Sequence, residues 1–448
     1  MTRYPSPEQH GHIVIPILNS PSLADVKLLF LLTPLWWVLG IEQIIWPIIL
    51  SYSCIKILLV RKRIRVSSPL ILLLLFIGSS LISGFFIIEP LRIITFMRNL
   101  SGYLSALFLF IVITNSIQTW RKLTSLIHVT VISMACISVI GLLAILNIYR
   151  GEFPSLVGTL IPGSLAQTDY ARRIISRSVG NIDWFSFFGQ YFRVSSTFLF
   201  ATLYASALSI TIPLTTLMIH YSRGIRKLIY IGILLSLVTN LLFTTGRSAI
   251  FALAIGGVYW AFDNRAIPKI AKLSGFALSM IIILVLALSP PASGYQGSLG
   301  HLLTARGSSS RDRLFIYSQT LAGMVERPLF GWGTERDIPD FPFPAGSHSY
   351  FLGAVYKYGI IGAFIFIALW VSVWKSTYRR SDLKHLPFMS YMRWIILTAG
   401  LNSMTDVLDL DLVTLMLLWS VFAIIAAANL IPDPPLRAWG TRVLDRSP

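Results

Sequence analysis

Four arginines and one histidine are placed where chemistry is possible: Arg193, Arg247 and His348 each sit where an apolar run meets a polar connection, and Arg311 and Arg313 within a long one. Arg247 heads the run in TTGRSAIFALAIGG, residues 244–257. A guanidinium at a helix start adds to the positive end of the helix dipole, which is unfavourable unless an anion sits there. Arg193, in YFRVSSTFLFATLYA, occupies the same kind of place at the expected start of another helix. Arg311 and Arg313, in GSSSRDRLFIY, come from a long polar connection. Guanidinium groups match phosphate oxygens bidentately, so four of them from three connections suit a membrane-anchored pyrophosphate. Each alone has a plainer reading. Arg247 and Arg193 can be snorkelling side chains at headgroup level, and Arg311 and Arg313 a solvated cluster with Asp312 as partner.

His348, in FPFPAGSHSYFLGAVYKYGIIG, stands where a second long connection meets an apolar helix. An imidazole titrates near neutral pH and can accept a proton from a hydroxyl; a structural hydrogen bond at a helix start is the alternative. Lys357 lies about two and a half turns inside that helix, a depth at which a lone charge is costly. It therefore calls for a carboxylate partner, with Asp406 and Asp409 as candidates. The D-x-D spacing of Asp409 and Asp411, with Asp406 nearby, can hold a divalent cation, but a helix cap explains it as well, and no metal or other cofactor is expected. No His/Cys/Glu cluster has zinc spacing, and neither a P-loop nor a G-x-S-x-G elbow occurs.

These residues need a membrane to position them. The chain has 448 residues, 55% of them hydrophobic and 12% charged, with a mean hydropathy of +0.71. Soluble domains carry about 25% charged residues, so a cytosolic globular fold is excluded. An outer-membrane barrel is disfavoured, because its strands alternate and give weak apolar runs. Long apolar runs must satisfy their backbone internally, which means helices. The fold class is accordingly an all-α polytopic membrane protein with about twelve spans, at 28–40, 42–60, 68–89, 99–116, 122–147, 194–219, 225–243, 247–263, 272–289, 350–374, 389–405 and 411–430. The first is short enough to be a half-crossing. The formal net charge of +18 reflects basic residues between apolar runs, so topology and anionic lipid account for it before nucleic acid does. Cys54 and Cys136 both lie in apolar runs, which speaks against a structural disulfide. The first residues do not form a convincing signal peptide: Ile13–Leu18 is short and interrupted by Pro16.

Basic residues mark every second connection: Arg61 to Arg65, Arg121 and Lys122, Arg223 to Lys227, Arg265 to Lys272, Lys375 to Lys384, and the tail from Arg437 to Arg446. By the positive-inside rule these are cytoplasmic. The expected division is a cytoplasmic segment 1–27, one membrane domain 28–430 and a cytoplasmic tail 431–448. Two long connections, about 148–193 and 290–349, then face outward. They carry Trp184, Phe185, Phe187, Phe188, Trp332, Phe341 and Phe343 among charged residues, and long connections of this kind are usually functional. Within the second, 312–327 reads as an amphipathic helix that lies on the membrane or packs on the bundle, stopped by Pro328 and Gly331.

In this order the motifs resemble the O-antigen ligase and polymerase superfamily of bacterial membrane glycosyltransferases. RVSSTFLFATLYA is similar to the family's arginine-headed span. TTGRSAIFALAIGG is similar to its Thr-x-Ser-Arg stretch, with Gly246 in place of serine. SRDRLFIYSQTLAGMVERPLFGWGTERD is similar to its arginine–aromatic–Pro–x–x–Gly–x–Gly segment, with Tyr317 in place of tryptophan. HSYFLGAVYKYGIIG is similar to its His–Asn–x–aromatic–Leu motif, with Ser349 in place of asparagine. The motifs cover about the C-terminal 60% of the chain. The resemblance implies a GT-C-type helical bundle in the inner membrane with its site facing the periplasm. The implied activity is metal-independent, inverting transfer of a glycan from an undecaprenyl-pyrophosphate donor to a hydroxyl of a glycolipid or glycan acceptor. It also implies that His348 and Arg247 are catalytic and that Arg193, Arg311 and Arg313 bind pyrophosphate or position the loop. An O-antigen ligase or surface polysaccharide polymerase fits best, with a protein O-oligosaccharyltransferase as an alternative. A polytopic transporter is the alternative of another class, although no similarity between halves supports it.

Overall fold

The computed structural model describes residues 23–60, 64–160, 169–185, 189–263, 307–380 and 386–431. Among these are fifteen helices and two small two-stranded sheets. The chain enters through α1 (Ala24–Leu31) and α2 (Thr33–Leu39), then α3 (Glu42–Val60), α4 (Ser68–Gly84), α5 (Pro90–Ser116) and α6 (Trp120–Ile145). The bundle continues with α9 (Ala201–Tyr221), α10 (Gly224–Thr244), α11 (Arg247–Asp263), α12 (Gly307–Glu326), α13 (Tyr350–Ser376), α14 (Pro387–Ser403) and α15 (Leu412–Ala428). Six helices, α3, α5, α6, α9, α10 and α13, are long and apolar enough to cross a bilayer, and α4 and α15 are shorter apolar helices. The protein is a multi-pass membrane protein.

Sequence dictates which helices sit inside. α15 is apolar all round, so no face prefers lipid over protein, and every one of its residues is buried. It packs against α5 and α9. In α9 small residues such as Ala205, Ser206, Ala207 and Ser209 let neighbours approach closely, and α10, α14, α11 and α6 surround it. The outer helices keep apolar stripes exposed: Ile44, Ile48, Tyr52, Ile55 and Leu59 on α3, and Ile360, Phe364, Ile367 and Val371 on α13. The three- and four-residue steps place each stripe on one helix face, as a lipid-facing surface requires.

Eleven of the twelve expected spans overlap described helices; the expected span 272–289, like His301 and most of the C-terminal tail, lies outside the described residues. The short first span is two helices of 8 and 7 residues meeting at Leu32, with Pro34 in the first turn of the second. Together they give roughly 22 Å of helix at 1.5 Å per residue, less than the ~30 Å of a hydrocarbon core.

Two expectations need correction. The span expected from 99 begins at Pro90, because proline at the first helical position starts a helix rather than breaking it; Arg92 and Arg98 are thereby helical. The span expected from 194 begins at Ala201, and Arg193 is in a strand. The first long connection holds the sheets that the all-α reading did not foresee. β1 (Glu152–Pro154) pairs antiparallel with β2 (Ser176–Ser178), and β3 (Gly180–Phe185) with β4 (Gly189–Val194), placing Arg193 opposite Asn181. Short helices α7 (Leu156–Leu160) and α8 (Asp169–Ile175) lie between β1 and β2. The buried ion pair of Arg177 with Glu42, 2.7 Å, fastens this connection to the start of α3.

Candidate active site

Four connections and the first turns of α5 meet at one end of the bundle, and their side chains interlock. Arg193, from β4, donates through Nε to the carbonyl oxygen of Thr244 at the end of α10, 3.1 Å. One residue on, Thr245 turns the chain with a left-handed backbone, φ 52°, and Arg247 opens α11. Neither threonine caps the third residue of that helix; Thr244 Oγ1 instead accepts the N–H of Gly246 at 3.1 Å. Ser248, next to Arg247, donates its hydroxyl to Asp406 Oδ2 in the α14–α15 connection. The other carboxylate oxygen of Asp406 takes Arg313 Nη2 of α12 at 3.3 Å, while Arg313 Nη1 donates to the carbonyl of Thr405 at 3.0 Å.

Asp406 is therefore the hub. It is buried, which pushes its carboxyl above the usual range, while Arg313, the Ser248 hydroxyl and Arg193 pull the other way. Arg313 pairs with Asp406 rather than with its chain neighbour Asp312. Arg247 is half-buried beside Ser248. Arg311, on the same helix as Arg313, is exposed, and among the described residues no hydrogen bond or ion pair joins it to this cluster.

His348 reaches the cluster from the other long connection. Its backbone is left-handed at φ 62°, a region that histidine enters more readily than most residues. Tyr317 of α12 donates its hydroxyl to the His348 carbonyl at 2.9 Å, and Phe343 meets the imidazole edge-on at 5.1 Å. Ser349 then caps α13, accepting the N–H of Leu352 at 3.2 Å; serine serves there as well as asparagine. Burial, and then the charge of Arg313, pull the imidazole pKa down to about 4. His348 thus faces Arg313 as a neutral base.

The expected carboxylate partner of Lys357 is found, and it is Asp409: Nζ to Oδ2 is 3.0 Å, with Glu335 Oε1 at 3.1 Å on the other side. Tyr103 of α5 also donates to Asp409 Oδ2, 2.9 Å. Burial would raise the Asp409 carboxyl, but Lys357 prevails and lowers it. Asp411 caps α15 through the N–H of Thr414, 2.9 Å. The three aspartates therefore face three separate partners: Arg313, Lys357 and a helix start.

Arg92 escaped the sequence reading. From the first turns of α5 its Nη2 donates to the Trp332 carbonyl at 2.7 Å and its Nε to the Glu335 carbonyl at 3.3 Å, holding the second long connection down. The signal was Pro90, which places Arg92 on a helix. The expected amphipathic helix is α12. It buries Ile316 and Thr320, half-buries Tyr317 and Met324, and leaves Leu314, Leu321 and Val325 exposed. It stops at Glu326, before Pro328. The aromatic residues Trp332, Phe341 and Tyr356 form a small core with Ile316 under this connection.

Among proteins of known family, residues 231–367 match the family model described as O-Antigen ligase. The matched stretch contains Arg247, Arg311, Arg313, His348 and Lys357; Arg193, Asp406 and Asp409 lie outside it. None of the curated proteins matches the chain.

Proposed function

We propose, with an O-antigen ligase domain at residues 231–367 as the premise, that this protein transfers a glycan from an undecaprenyl-pyrophosphate carrier to an acceptor hydroxyl at the external face of the inner membrane. About twelve spans in a GT-C-type bundle carry the site, between a cytoplasmic segment 1–27 and a cytoplasmic tail 431–448. The observation that carries the reading is the convergence of His348, Arg313, Arg193 and the Arg247 end of α11 around Asp406. A neutral imidazole under the charge of Arg313, which Asp406 links to Ser248 beside Arg247 and to the charge of Arg193, pairs a proton acceptor with a seat for an anionic leaving group.

In the proposed step the acceptor oxygen attacks the anomeric carbon opposite the pyrophosphate. The C–O bond to phosphate breaks, and its electron pair leaves with the lipid pyrophosphate. Arg247 and Arg193 stabilise that charge, the kind of contribution that is often the largest in catalysis. His348 takes the hydroxyl proton, and a single displacement inverts the configuration. Arg313 lies between the two halves of the chemistry and serves both. Arg311, being exposed, is assigned to the incoming headgroup rather than to the reacting centre. No metal is required by this scheme.

The test is transfer by purified protein supplied with lipid-linked oligosaccharide and a lipid A–core, glycan or protein acceptor, with and without chelator. His348→Ala and Arg247→Ala are each expected to lose transfer by about 10²-fold or more while remaining folded. Full activity in both would overturn the assignment. The acceptor consumed separates ligase, polymerase and protein oligosaccharyltransferase. A break inside α13 at Gly359 is a feature shared with transporters, whose sites form at discontinuous helices; solute movement in vesicles without consumption of donor would favour that reading.

A further inference from the structure

α13 is two rods rather than one. At Gly359 the backbone is φ 66°, ψ −173°, outside the helical region. Such a break strands backbone groups that lipid cannot satisfy, and the segment 328–333 takes them. Trp332 N–H donates to the Tyr356 carbonyl at 3.0 Å and Gly333 N–H to the Lys357 carbonyl at 2.7 Å. In the other direction Ile360 N–H donates to the Pro328 carbonyl at 2.8 Å and Ile361 N–H to that of Leu329 at 3.4 Å. The first rod, Tyr350 to Tyr358, is about two and a half turns long. His348 stands just before its outer end and Lys357 near its inner end.

The same rod faces the α14–α15 connection at both ends. At the outer end, Tyr317 of α12, one helical turn beyond Arg313, donates to the His348 carbonyl at 2.9 Å, and Asp406 holds Arg313. At the inner end, Lys357 binds Asp409, three residues further along that connection, and Glu335 of the capping segment. The lysine is 1% exposed, so its charge depends on these partners. Around them stand the hydroxyls of Tyr103, Tyr350 and Tyr358, and Arg98 of α5 acts on Asp409. Arg92 fixes the backbone of Glu335 from α5. A buried ion pair with one member removed leaves the other charge unpaired, so this end of the rod has a defined position or none.

We propose that Lys357 is a positioning residue for glycan transfer: its ion pairs with Asp409 and Glu335 orient the half-helix Tyr350 to Tyr358 and so hold His348 against the arginine cluster. Lys357 touches no reacting atom in this scheme; it acts through the rod. The inference rests on the site assigned above, and its test is separable from that of the assignment.

Purified Lys357→Met is the first variant. Its kcat is expected to fall about 10- to 100-fold, the scale at which a misplacement of roughly 1 Å acts, with the donor KM within about threefold because Arg247 and Arg193 are untouched. The acid limb of kcat/KM is expected to move to higher pH, since an imidazole displaced from Arg313 and from its buried seat regains basicity. Lys357→Arg is expected to recover part of kcat and return the limb toward its original place. A folded Lys357→Met with wild-type kcat and an unmoved limb would overturn the proposal. Should Lys357→Met not fold, Glu335→Gln keeps the Asp409 pair and is expected to lower kcat several-fold with the same direction of limb shift; no change in either quantity would count equally against it. An inactive His348→Ala beside a wild-type-like Lys357→Met removes this inference alone, whereas full activity in both His348→Ala and Arg247→Ala removes the site itself.

Discussion

At the scale of single residues, the character of the site is set by what surrounds one imidazole. Burial first and Arg313 second hold His348 down to about 4, against about 6.5 for an unperturbed histidine. A base with so low a pKa stays neutral across the physiological range, so kcat/KM is expected to remain level from neutrality down to about pH 5 and to fall near 4. An acid limb at 6.5 would mean that another group is titrating. The same shift has a sign for stability: protons bind the unfolded imidazole more readily, so the contribution of His348 is present above 6.5 and is lost as the pH falls toward 4. Arg313→Gln removes the charge effect but leaves the burial. Its acid limb is expected to rise part of the way toward 6.5, measurable from pH–rate profiles of wild type and variant side by side. In the sequence, His348, Arg193 and Arg247 stand out by their places beside apolar runs, and Arg313 as a guanidinium in a long connection. The sequence could not make Asp406 legible as the hub, because that role depends on Ser248 and Arg313 arriving from segments 158 and 93 residues away in the chain.

Elements explain why certain backbone positions tolerate so little. Gly359 sits at φ 66°, and a Cβ there would stand 2.2 Å from the Leu329 carbonyl oxygen and 2.5 Å from the Phe330 nitrogen. Gly359→Ala is therefore expected to expel the segment 328–333 from the break, lowering the melting temperature in detergent and reducing transfer together; a wild-type melting curve would show that the break is not held by that segment. Gly246 is a second case. The resembling family has serine there, but in this chain a Cβ would lie 2.4 Å from the Cβ of Ala205 on α9. Gly246→Ser is expected to cost about 1–3 kcal/mol, as overpacking usually does, and Ala205→Gly in the same protein is expected to restore most of it. An additive pair, measured by thermal or denaturant melts, would argue against direct contact. Helices were readable in the chain because apolar length alone specifies them in a bilayer. The break in α13 was not, since Gly359 looks like any glycine in an apolar run until its neighbour's backbone is known. The first sheet of the first long connection was also hidden: β1 and β2 are three residues each, too short for an alternating pattern to register.

For the whole molecule, the arrangement of connections makes a prediction about sidedness. The bonds described above tie together the start of α5 and the first long, α10–α11, second long and α14–α15 connections at one end of the bundle. At the other end, Arg393 pairs with Asp263 at 2.6 Å and Asn429 donates to the Ser376 carbonyl at 2.9 Å, joining the ends of α11, α13, α14 and α15. The described basic residues Arg121, Lys122, Arg226, Lys227 and Lys375 lie at this second end, and the positive-inside rule predicts that it is cytoplasmic. The candidate site is then predicted to be external, where a lipid-linked donor can react without a nucleotide. Single cysteines test this in a background with Cys54 and Cys136 replaced. Gln319→Cys, on the exposed side of α12, is expected to react with a membrane-impermeant maleimide in intact spheroplasts. Lys227→Cys, exposed in the first turn of α10, is expected to react only after permeabilisation. The reverse pattern would put the arginine cluster in the cytoplasm, where nucleotide-activated sugars supply the usual donors, and the extracytoplasmic transfer proposed here would fail with it. Protection of Gln319→Cys in both preparations would instead place α12 against lipid along its whole exposed face, and an entry route for donor or acceptor would have to be sought beside α5.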